Sequence, residues 1–283
     1  MASPSLKFAS AALLLLLLSP MLHSEFSLRS LTVFANVNLD GSVNVEERIE
    51  MEMKGTVSKE LYEATRSAYT DLATWKARTG LTEMRHHVTR VAADVKDLRV
   101  TPQRIDYCNS ILGTCYATVV IDYIVPAGKE GSGLVKVDRY KPRTAKYSLI
   151  PEALSFEHTK TGDLVLPSGT LISIAVPQAA EKIYFSSPPQ TVDASEGNFR
   201  YDQSSNVRYY VGRDRLFTWK GDSLSRFSFT YEIESPLESE VLDFFRSSQG
   251  RLVEFFFGPQ GLAAILILAA AGVSIYQFNR LKL

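Results

Sequence analysis

The feature that most constrains this chain is an uncharged apolar segment near its C-terminus, GPQGLAAILILAAAGVSIYQF, at residues 258–278. About 20 apolar residues are enough to cross the hydrocarbon core of a bilayer as a helix. A core helix of this length in a soluble domain usually keeps a polar stripe, which this segment lacks. The sequence therefore predicts one C-terminal transmembrane helix, followed by a short tail at residues 279–283.

Residues typical of the membrane interface flank this segment. Aromatic rings are enriched at the headgroup level, and positive charge just beyond a span favours the cytoplasmic side. The predicted interface residues are Phe255, Phe256, Phe257, Tyr276, Arg280 and Lys282. We therefore expect a single-pass protein with its N-terminus outside and a short cytoplasmic tail.

The N-terminus has the three parts of a secretory signal. Lys7 precedes an apolar run from Phe8 to Leu18, which is too short to span a bilayer, and a polar stretch follows. We expect a signal peptide over residues 1–24, with an uncleaved anchor as the alternative. The predicted location is the plasma membrane or cell envelope, or the ER membrane of a eukaryote, with the body of the chain outside the cytosol.

The charges of the chain cancel, with 31 Lys and Arg against 31 Asp and Glu. No global field therefore draws it to nucleic acid, which is not an expected partner. The expected partners are membrane lipid and either another envelope or membrane protein or a surface glycan.

Short runs in which apolar and polar residues alternate predict a mainly β, sandwich-like fold. We predict an N-terminal β-rich domain at residues 25–150, with an α+β form as the alternative for this half, and a membrane-proximal β-sandwich domain at residues 151–235. Ser235 with Glu238 forms a capping box, which predicts a juxtamembrane stalk helix at residues 236–257.

One packed helix is predicted at residues 58–79 of the N-terminal domain. Ser58 can cap its first turn, and Gly80 can end it in the left-handed conformation. Its apolar residues recur at helical spacing and predict a face that packs on a sheet: Leu61, Ala64, Ala68, Leu72 and Trp75.

The cysteines of the chain are Cys108 and Cys115. Outside the cytosol, a close pair of this kind typically forms a disulfide. The residues on either side alternate like strands, so we predict a disulfide that ties two strands together. A metal site is the alternative, but two cysteines without a nearby histidine supply too few ligands.

The segment NVNLDGSVNVEE, residues 36–47, matches a calcium-loop template at every position but the first. Its candidate ligands are Asn36, Asn38, Asp40 and Glu47, and calcium takes about six to eight oxygens on such a tight loop. In its Asn-x-Asp-Gly-x-Val-Asn pattern the segment resembles the dockerin repeat, over these residues alone. The resemblance implies a calcium site of the kind found in extracellular docking modules.

The residues on both sides of this segment favour a β-hairpin instead. LTVFANV and RIEMEM alternate with period two, and Asp40-Gly41 is a strong signal for a hairpin turn. Glu46 and Glu47 would then lie on opposite faces of one strand. We therefore predict a hairpin and no cofactor, with bound Ca²⁺ as the alternative.

Basic and aromatic residues alternate in KVDRYKPRTAKY, a candidate binding patch. Its members are Lys136, Arg139, Tyr140, Lys141, Arg143 and Lys146. A solvated strand pair with ordinary charge is the interpretation we favour, and a ligand bound there would be an acidic glycan or a lipid headgroup. The neighbours His86 and His87 would point to opposite faces of a strand, so we predict no shared metal ion.

No short catalytic motif occurs, such as G-x-S-x-G, H-E-x-x-H or a phosphate-binding glycine loop. We therefore expect a non-catalytic, membrane-anchored ectodomain that contacts a protein or a glycan. An accessory subunit of a membrane complex is the alternative. An exported hydrolase remains a third possibility, because glycosidase carboxylates leave no short signature.

Overall fold

The computed structural model describes residues 24–89, 93–128, 132–141, 143–193, 195–203 and 206–235. Its helices are α1 (Gly55–Ser67) and α2 (Leu72–Thr79), and 3-10 helices cover Pro151–Ala153 and Glu196–Asn198. The strands are β1 (Glu25–Val37), β2 (Val43–Lys54), β3 (Lys96–Pro102), β4 (Tyr107–Asn109), β5 (Thr114–Val125), β6 (Val135–Arg139), β7 (Thr144–Leu149), β8 (Glu157–His158), β9 (Leu164–Val165), β10 (Thr170–Ala175), β11 (Ala180–Phe185), β12 (Phe199–Tyr201), β13 (Arg208–Tyr210), β14 (Leu216–Lys220), β15 (Ser223–Leu224) and β16 (Phe229–Glu234). The predicted mainly β class is confirmed.

The largest sheet has seven strands in the order β14-β10-β1-β2-β5-β3, with β4 also paired to β5. Long antiparallel ladders join β1 to β2 and β2 to β5, whereas β1 and β10 run parallel. Along β2, and along β1 from Leu31 onwards, every second residue is buried, as expected of a sheet with one face on the core. One face of this sheet packs on the core, and the other face carries the candidate site described below.

The predicted hairpin at residues 36–47 is confirmed. Asn36 pairs with Asn44 and Val37 with Val43 across a tight turn. Gly41 makes the turn with a φ of 87°, which glycine adopts without steric cost. The Asp40 carboxylate accepts hydrogen bonds from the backbone N–H and the hydroxyl of Ser42, which closes the turn.

The single helix predicted at residues 58–79 is two helices in the structure. Asp71 caps α2 by accepting the Thr74 N–H at 2.8 Å, so a new helix begins there. Gly80 ends α2 in the left-handed conformation, as predicted. Ser58 is not the cap, because it lies inside α1 and donates to the carbonyl of Lys54.

The break changes which residues of this segment face the core. In α1 the buried residues are Ser58, Tyr62 and Thr65, while Ala64 and Ala68 of the predicted apolar face are exposed. The reason is that Tyr62 packs edge-on against Trp75 of α2, at a centroid distance of 5.3 Å. Trp75 is fully buried, as a residue on a packed face should be.

A six-stranded sheet follows the order β12-β13-β11-β16-β7-β6, and a three-stranded sheet the order β15-β9-β8. Aromatic rings of β14 contact those of β16: Phe217 lies 5.3 Å and Trp219 5.5 Å from Phe229, between ring centroids. These three side chains are buried and belong to the core.

Backbone contacts divide the chain into two units, residues 1–138 with 146–232, and residues 139–145 with 233–283. The domain boundary predicted near residue 150 stays a prediction. We note that β10 and β14, which follow that boundary, share a sheet with β1, which precedes it.

No helix within the described parts of residues 24–235 is long and apolar enough to cross a membrane. The predicted stalk at 236–257, span at 258–278 and tail at 279–283 lie outside the described residues, as does the signal peptide except for Ser24.

Candidate functional site

A cavity of about 440 Å³ opens on the face of the seven-stranded sheet that does not carry the buried apolar residues of β1, β2 and β5. Side chains of neighbouring strands line it together with residues of the β3 edge. We call the following six lining residues the open-face site: Phe34, Asn44, Glu46, Arg99, Asp122 and Ile124.

The strand register places these residues in two adjacent rows. Phe34 pairs with Glu46, Glu46 with Asp122, and Asp122 with Arg99, so one row crosses four strands. Directly opposed residues on neighbouring strands have their Cβ atoms roughly 4.5–5.5 Å apart. The second row contains Asn44 and its partner Ile124. Polar and apolar side chains thus lie side by side on this face of the sheet.

Acidic and basic side chains lie together in and beside the first row. The guanidinium of Arg48 donates from Nε to the Glu46 carboxylate at 2.6 Å, along the same strand. Partial burial raises the pKa of Asp122, and the negative charge of Glu46 raises it further. The nearby Arg48 and Arg99 act in the opposite direction. Asp122 therefore holds its proton more readily than an exposed aspartate does.

Glu47, the next residue of β2, lies on the opposite, buried face of the same sheet. Its carboxyl accepts the His87 backbone N–H at 2.6 Å, lies 2.7 Å from His87 Nδ1, and accepts the hydroxyl of Tyr123. All three side chains are buried, and burial raises the pKa of Tyr123 well above its usual range. The cluster is closed to solvent, so it can stabilise the fold but cannot reach a dissolved substrate.

The neighbouring His86 differs from His87 in its environment. His87 stacks on Phe156 at 5.0 Å in the interior, whereas His86 is half-buried beside Tyr123. No group of three or more His, Cys, Asp or Glu residues that could hold a metal ion occurs in the described part of the chain.

The structure does not bring the four calcium-loop candidates together. Asn36 is an exposed residue of β1, Asn38 and Asp40 lie in the hairpin turn, and the Glu47 side chain is in the core. The Asn38 amide donates to the Ser42 hydroxyl at 2.9 Å rather than turning towards Glu47. In the hairpin, the carboxylate of Glu47, which would be the last ligand of a calcium loop, points away from the turn.

The candidate basic patch lies on β6, β7 and their connection. Lys136 pairs with Asp138 at 2.9 Å, and Arg143 pairs with Glu234 at 3.3 Å. The ammonium of Lys141 lies 5.2 Å from the ring centre of Tyr140. Arg139 and Lys146 are exposed. Two of the charges thus already have acidic partners, which weakens the patch as an anion site.

The predicted disulfide between Cys108 and Cys115 is confirmed, and it ties β4 to β5 as expected. The predicted membrane-interface residues lie outside the described residues: Phe255, Phe256, Phe257, Tyr276, Arg280 and Lys282.

Sequence reasoning missed the open-face site. The alternation of β2 places Glu46 on the face opposite Val45, and Asp122 is the one acid in the run TVVIDYIV, so each residue was visible as an outward polar position. That they adjoin follows from the pairing of β2 with β5, which is far away in sequence. No local pattern specifies that pairing.

No family model matches this chain, and no curated protein matches it. The folded domain of LppM from Mycobacterium tuberculosis, determined by NMR, is 11% identical with a TM-score of 0.24, over 76% of this chain and 95% of that one. The mu homology domain of Fcho1 from Danio rerio, with a bound Eps15 peptide, is 9% identical with a TM-score of 0.17, over 75% of this chain and 79% of that one. At these TM-scores neither likeness bears on the fold or the function of this chain.

Proposed function

We propose that this chain is a single-pass membrane protein whose sandwich-like body stands outside the cytosol and binds a glycan through the open-face site. The main support for the proposal is the cavity of about 440 Å³ on the face of the seven-stranded sheet that is turned away from the core. Its volume falls in the range of roughly 300–1,000 Å³ typical of small-molecule sites. The apolar segments at the two ends of the sequence support the location.

The chemistry of the lining suits a sugar. Each sugar hydroxyl both donates and accepts hydrogen bonds, and the amide of Asn44, the carboxylates and the guanidinium of Arg99 supply fixed partners of both kinds. The ring of Phe34 and the side chain of Ile124 offer apolar surface to the C–H face of a pyranose. Phe34 is half-buried, so part of its ring is available for contact.

The charge of the lining indicates which sugars fit. Three carboxylates face the cavity, those of Glu46, Asp97 and Asp122, against the guanidinium of Arg99. An anionic sugar would meet like charges, which is unfavourable. We therefore expect neutral or amino-bearing oligosaccharides to bind in preference to sulfated ones.

Binding of the full chain in detergent to immobilised neutral, amino-bearing and sulfated oligosaccharides tests the proposal. Arg99→Ala should weaken binding by roughly 10- to 150-fold, because a hydrogen bond to a charged group is worth about 1.5–3 kcal/mol. Arg200→Ala is the matched control, since Arg200 is an exposed arginine of β12 in the other large sheet. If no oligosaccharide binds, or if both variants bind like the wild type, the proposal is wrong.

The pairing of Glu46 with Asp122 favours a second candidate, an exported glycoside hydrolase. Retaining glycosidases hold two carboxyl groups roughly 5–5.5 Å apart. Residues opposed in a sheet have their Cβ atoms roughly 4.5–5.5 Å apart, which brings two carboxyl-bearing side chains close together. A general acid needs a raised pKa, and that of Asp122 is raised. Release of reducing ends from a bound oligosaccharide, abolished by Asp122→Asn and by Glu46→Gln, would support this candidate; binding without turnover would exclude it.

The accessory-subunit alternative depends on residues 236–278, outside the described residues. Gentle detergent extraction followed by native mass measurement tests it. A stoichiometric complex with other membrane proteins would support this alternative, and a lone monomer would contradict it.

A further inference from the structure

The turn between β4 and β5 displays two large aliphatic side chains to solvent. Ile111 is 92% exposed and Leu112 is 67% exposed, the most prominent aliphatic pair among the described residues. Consecutive exposed aliphatic side chains of this size are unfavourable in water unless another surface covers them. We call residues 110–113, with these two side chains, the apolar tip.

The apolar tip cannot bury itself by a local rearrangement, because its backbone is held from several sides. The disulfide between Cys108 and Cys115 closes its base. The Asn109 side chain accepts the N–H groups of Ile111 at 3.0 Å and Leu112 at 3.1 Å. The carbonyl of Gly113 accepts the N–H of Gly55 at 3.0 Å, which fixes the tip to the start of α1.

Polar and aromatic residues surround the base of the tip. Tyr107 is 51% exposed and stacks on Tyr116, at a centroid distance of 4.6 Å. The guanidinium of Arg29 lies 4.5 Å from the Tyr116 ring centre. Lys54, in the β2 strand that adjoins β5, pairs with Glu25 of β1. Charged groups and tyrosine rings therefore lie on the strands behind the tip, and the two aliphatic side chains lie outermost.

We infer that the apolar tip inserts into the interface of a lipid bilayer. This arrangement matches a membrane surface, where charged groups and tyrosine rings lie at headgroup depth and aliphatic groups lie deeper. A narrow convex tip enters a fluid bilayer without a preformed complement, whereas a protein partner would need a matching pocket. The neighbouring cations are paired, Arg29 with Glu50 and Lys54 with Glu25, so the insertion requires no anionic lipid.

The native tryptophans make a direct test possible. Trp75 and Trp219 are the two tryptophans of the chain, and both are buried, so lipid-borne quenchers cannot touch them. A tryptophan placed at the tip by Ile111→Trp therefore becomes a selective reporter of lipid contact. The control is Tyr69→Trp, because Tyr69 is 94% exposed and follows α1 at the end away from the tip.

The experiment places the full chain in vesicles of brominated phosphatidylcholine and compares its fluorescence with that in ordinary phosphatidylcholine. We expect the Ile111→Trp reporter to lose most of its fluorescence and to shift to the blue, with a second reporter, Leu112→Trp, behaving alike and the Tyr69→Trp control unchanged. Equal fluorescence of both tip reporters in the two lipids would overturn the inference and leave a protein pocket as the occupant.

The inference rests on the proposed membrane anchoring only because the anchor would hold the tip near a bilayer. Carbonate extraction of the same vesicles tests the anchor separately from the tip. Retention in the membrane without quenching would refute the tip alone. Release by carbonate together with quenching would refute the anchor alone.

Discussion

The carboxyl group of Glu47 contacts His87 twice inside the protein, across 40 residues of sequence: one oxygen lies 2.6 Å from the backbone nitrogen and the other 2.7 Å from Nδ1. Both side chains are at most 1% exposed. The contact fixes the segment before β3 to the buried face of β2. The open-face site lies on the other face of the same strands.

Replacing Glu47 with glutamine should destabilise the protein by about 1–3 kcal/mol. A neutral amide oxygen accepts the His87 backbone N–H and the Tyr123 hydroxyl more weakly than a carboxylate does, and the amide NH2 would meet His87 Nδ1, which must then accept a hydrogen bond. Urea unfolding, followed by the fluorescence of the buried tryptophans, measures the change. Glu46→Gln is the control on the other face of the strand, where we expect less than about 0.5 kcal/mol. Equal losses of stability in the two variants would show that the buried contacts of Glu47 with His87 and Tyr123 do not stabilise the fold.

Alanine at Gly41 should be more costly than alanine at Gly162. Both glycines have a positive φ, 87° and 85°, so both changes strain the backbone by about 1 kcal/mol. A Cβ at Gly41 would also lie 2.6 Å from Cγ2 of Val137, whereas one at Gly162 meets nothing within 4 Å. Differential scanning fluorimetry of the two variants compares the costs. Adding Val137→Ala should recover part of the loss at Gly41 only; recovery at neither site would show that the close approach does not exist.

Removal of the disulfide by Cys108→Ser with Cys115→Ser should destabilise the protein by about 2 kcal/mol, since the bridge closes a short loop. The same loss should follow when the wild type is treated with a reductant. The serine variant, by contrast, should not respond to the reductant. A reductant effect of similar size in that variant would mean that the loss arises elsewhere.

Asp122→Asn should stabilise the protein at neutral pH, and the gain should shrink as the pH falls. The folded-state pKa of Asp122 lies above the ordinary value of 3.8, so its ionised form is disfavoured in the fold. The wild type therefore gains stability as the pH falls through that pKa, and the asparagine variant does not. Thermal unfolding of both proteins between pH 7 and pH 3.5 measures the difference.

Asp163→Asn should have the opposite effect on stability from Asp122→Asn. Hydrogen bonds from the Thr161 hydroxyl and then from the Arg226 backbone N–H lower the pKa of Asp163 below 3.8. Its contribution to stability is present above the ordinary pKa and is lost as the pH falls through the folded-state pKa. This variant should therefore be less stable than the wild type at pH 7. The same sign for both variants would contradict the two electrostatic environments.

The hairpin could be predicted from the sequence because its signal is local: period-two alternation on both sides of Asp40-Gly41. The buried carboxyl was visible too, since Glu47 occupies an apolar position of the alternation between Val45 and Ile49. The helix prediction was partly wrong because the 3.6-residue period continues across Asp71, whose capping role begins a second helix. Reading Asp71 as a cap would have divided the segment.

The open-face site could not be predicted, because it depends on which strands become neighbours. Asp122 meets Glu46 and Arg99 only through the pairings of β5 with β2 and with β3. Alternation predicts the face on which each side chain lies, but not its neighbour across the sheet. The apolar tip was likewise missed, since Ile111 and Leu112 lie in a turn that the sequence does not distinguish from a strand end.

Hydroxyl-radical footprinting of the full chain, with and without the oligosaccharide that binds most tightly, tests glycan binding at the open-face site. We expect Phe34 and Ile124, which line the open-face site, to become protected from oxidation, while the exposed Tyr201 and Ile111 stay unchanged. Unchanged oxidation of Phe34 and Ile124 in the presence of bound oligosaccharide, with protection at Tyr201 instead, would contradict binding at this site.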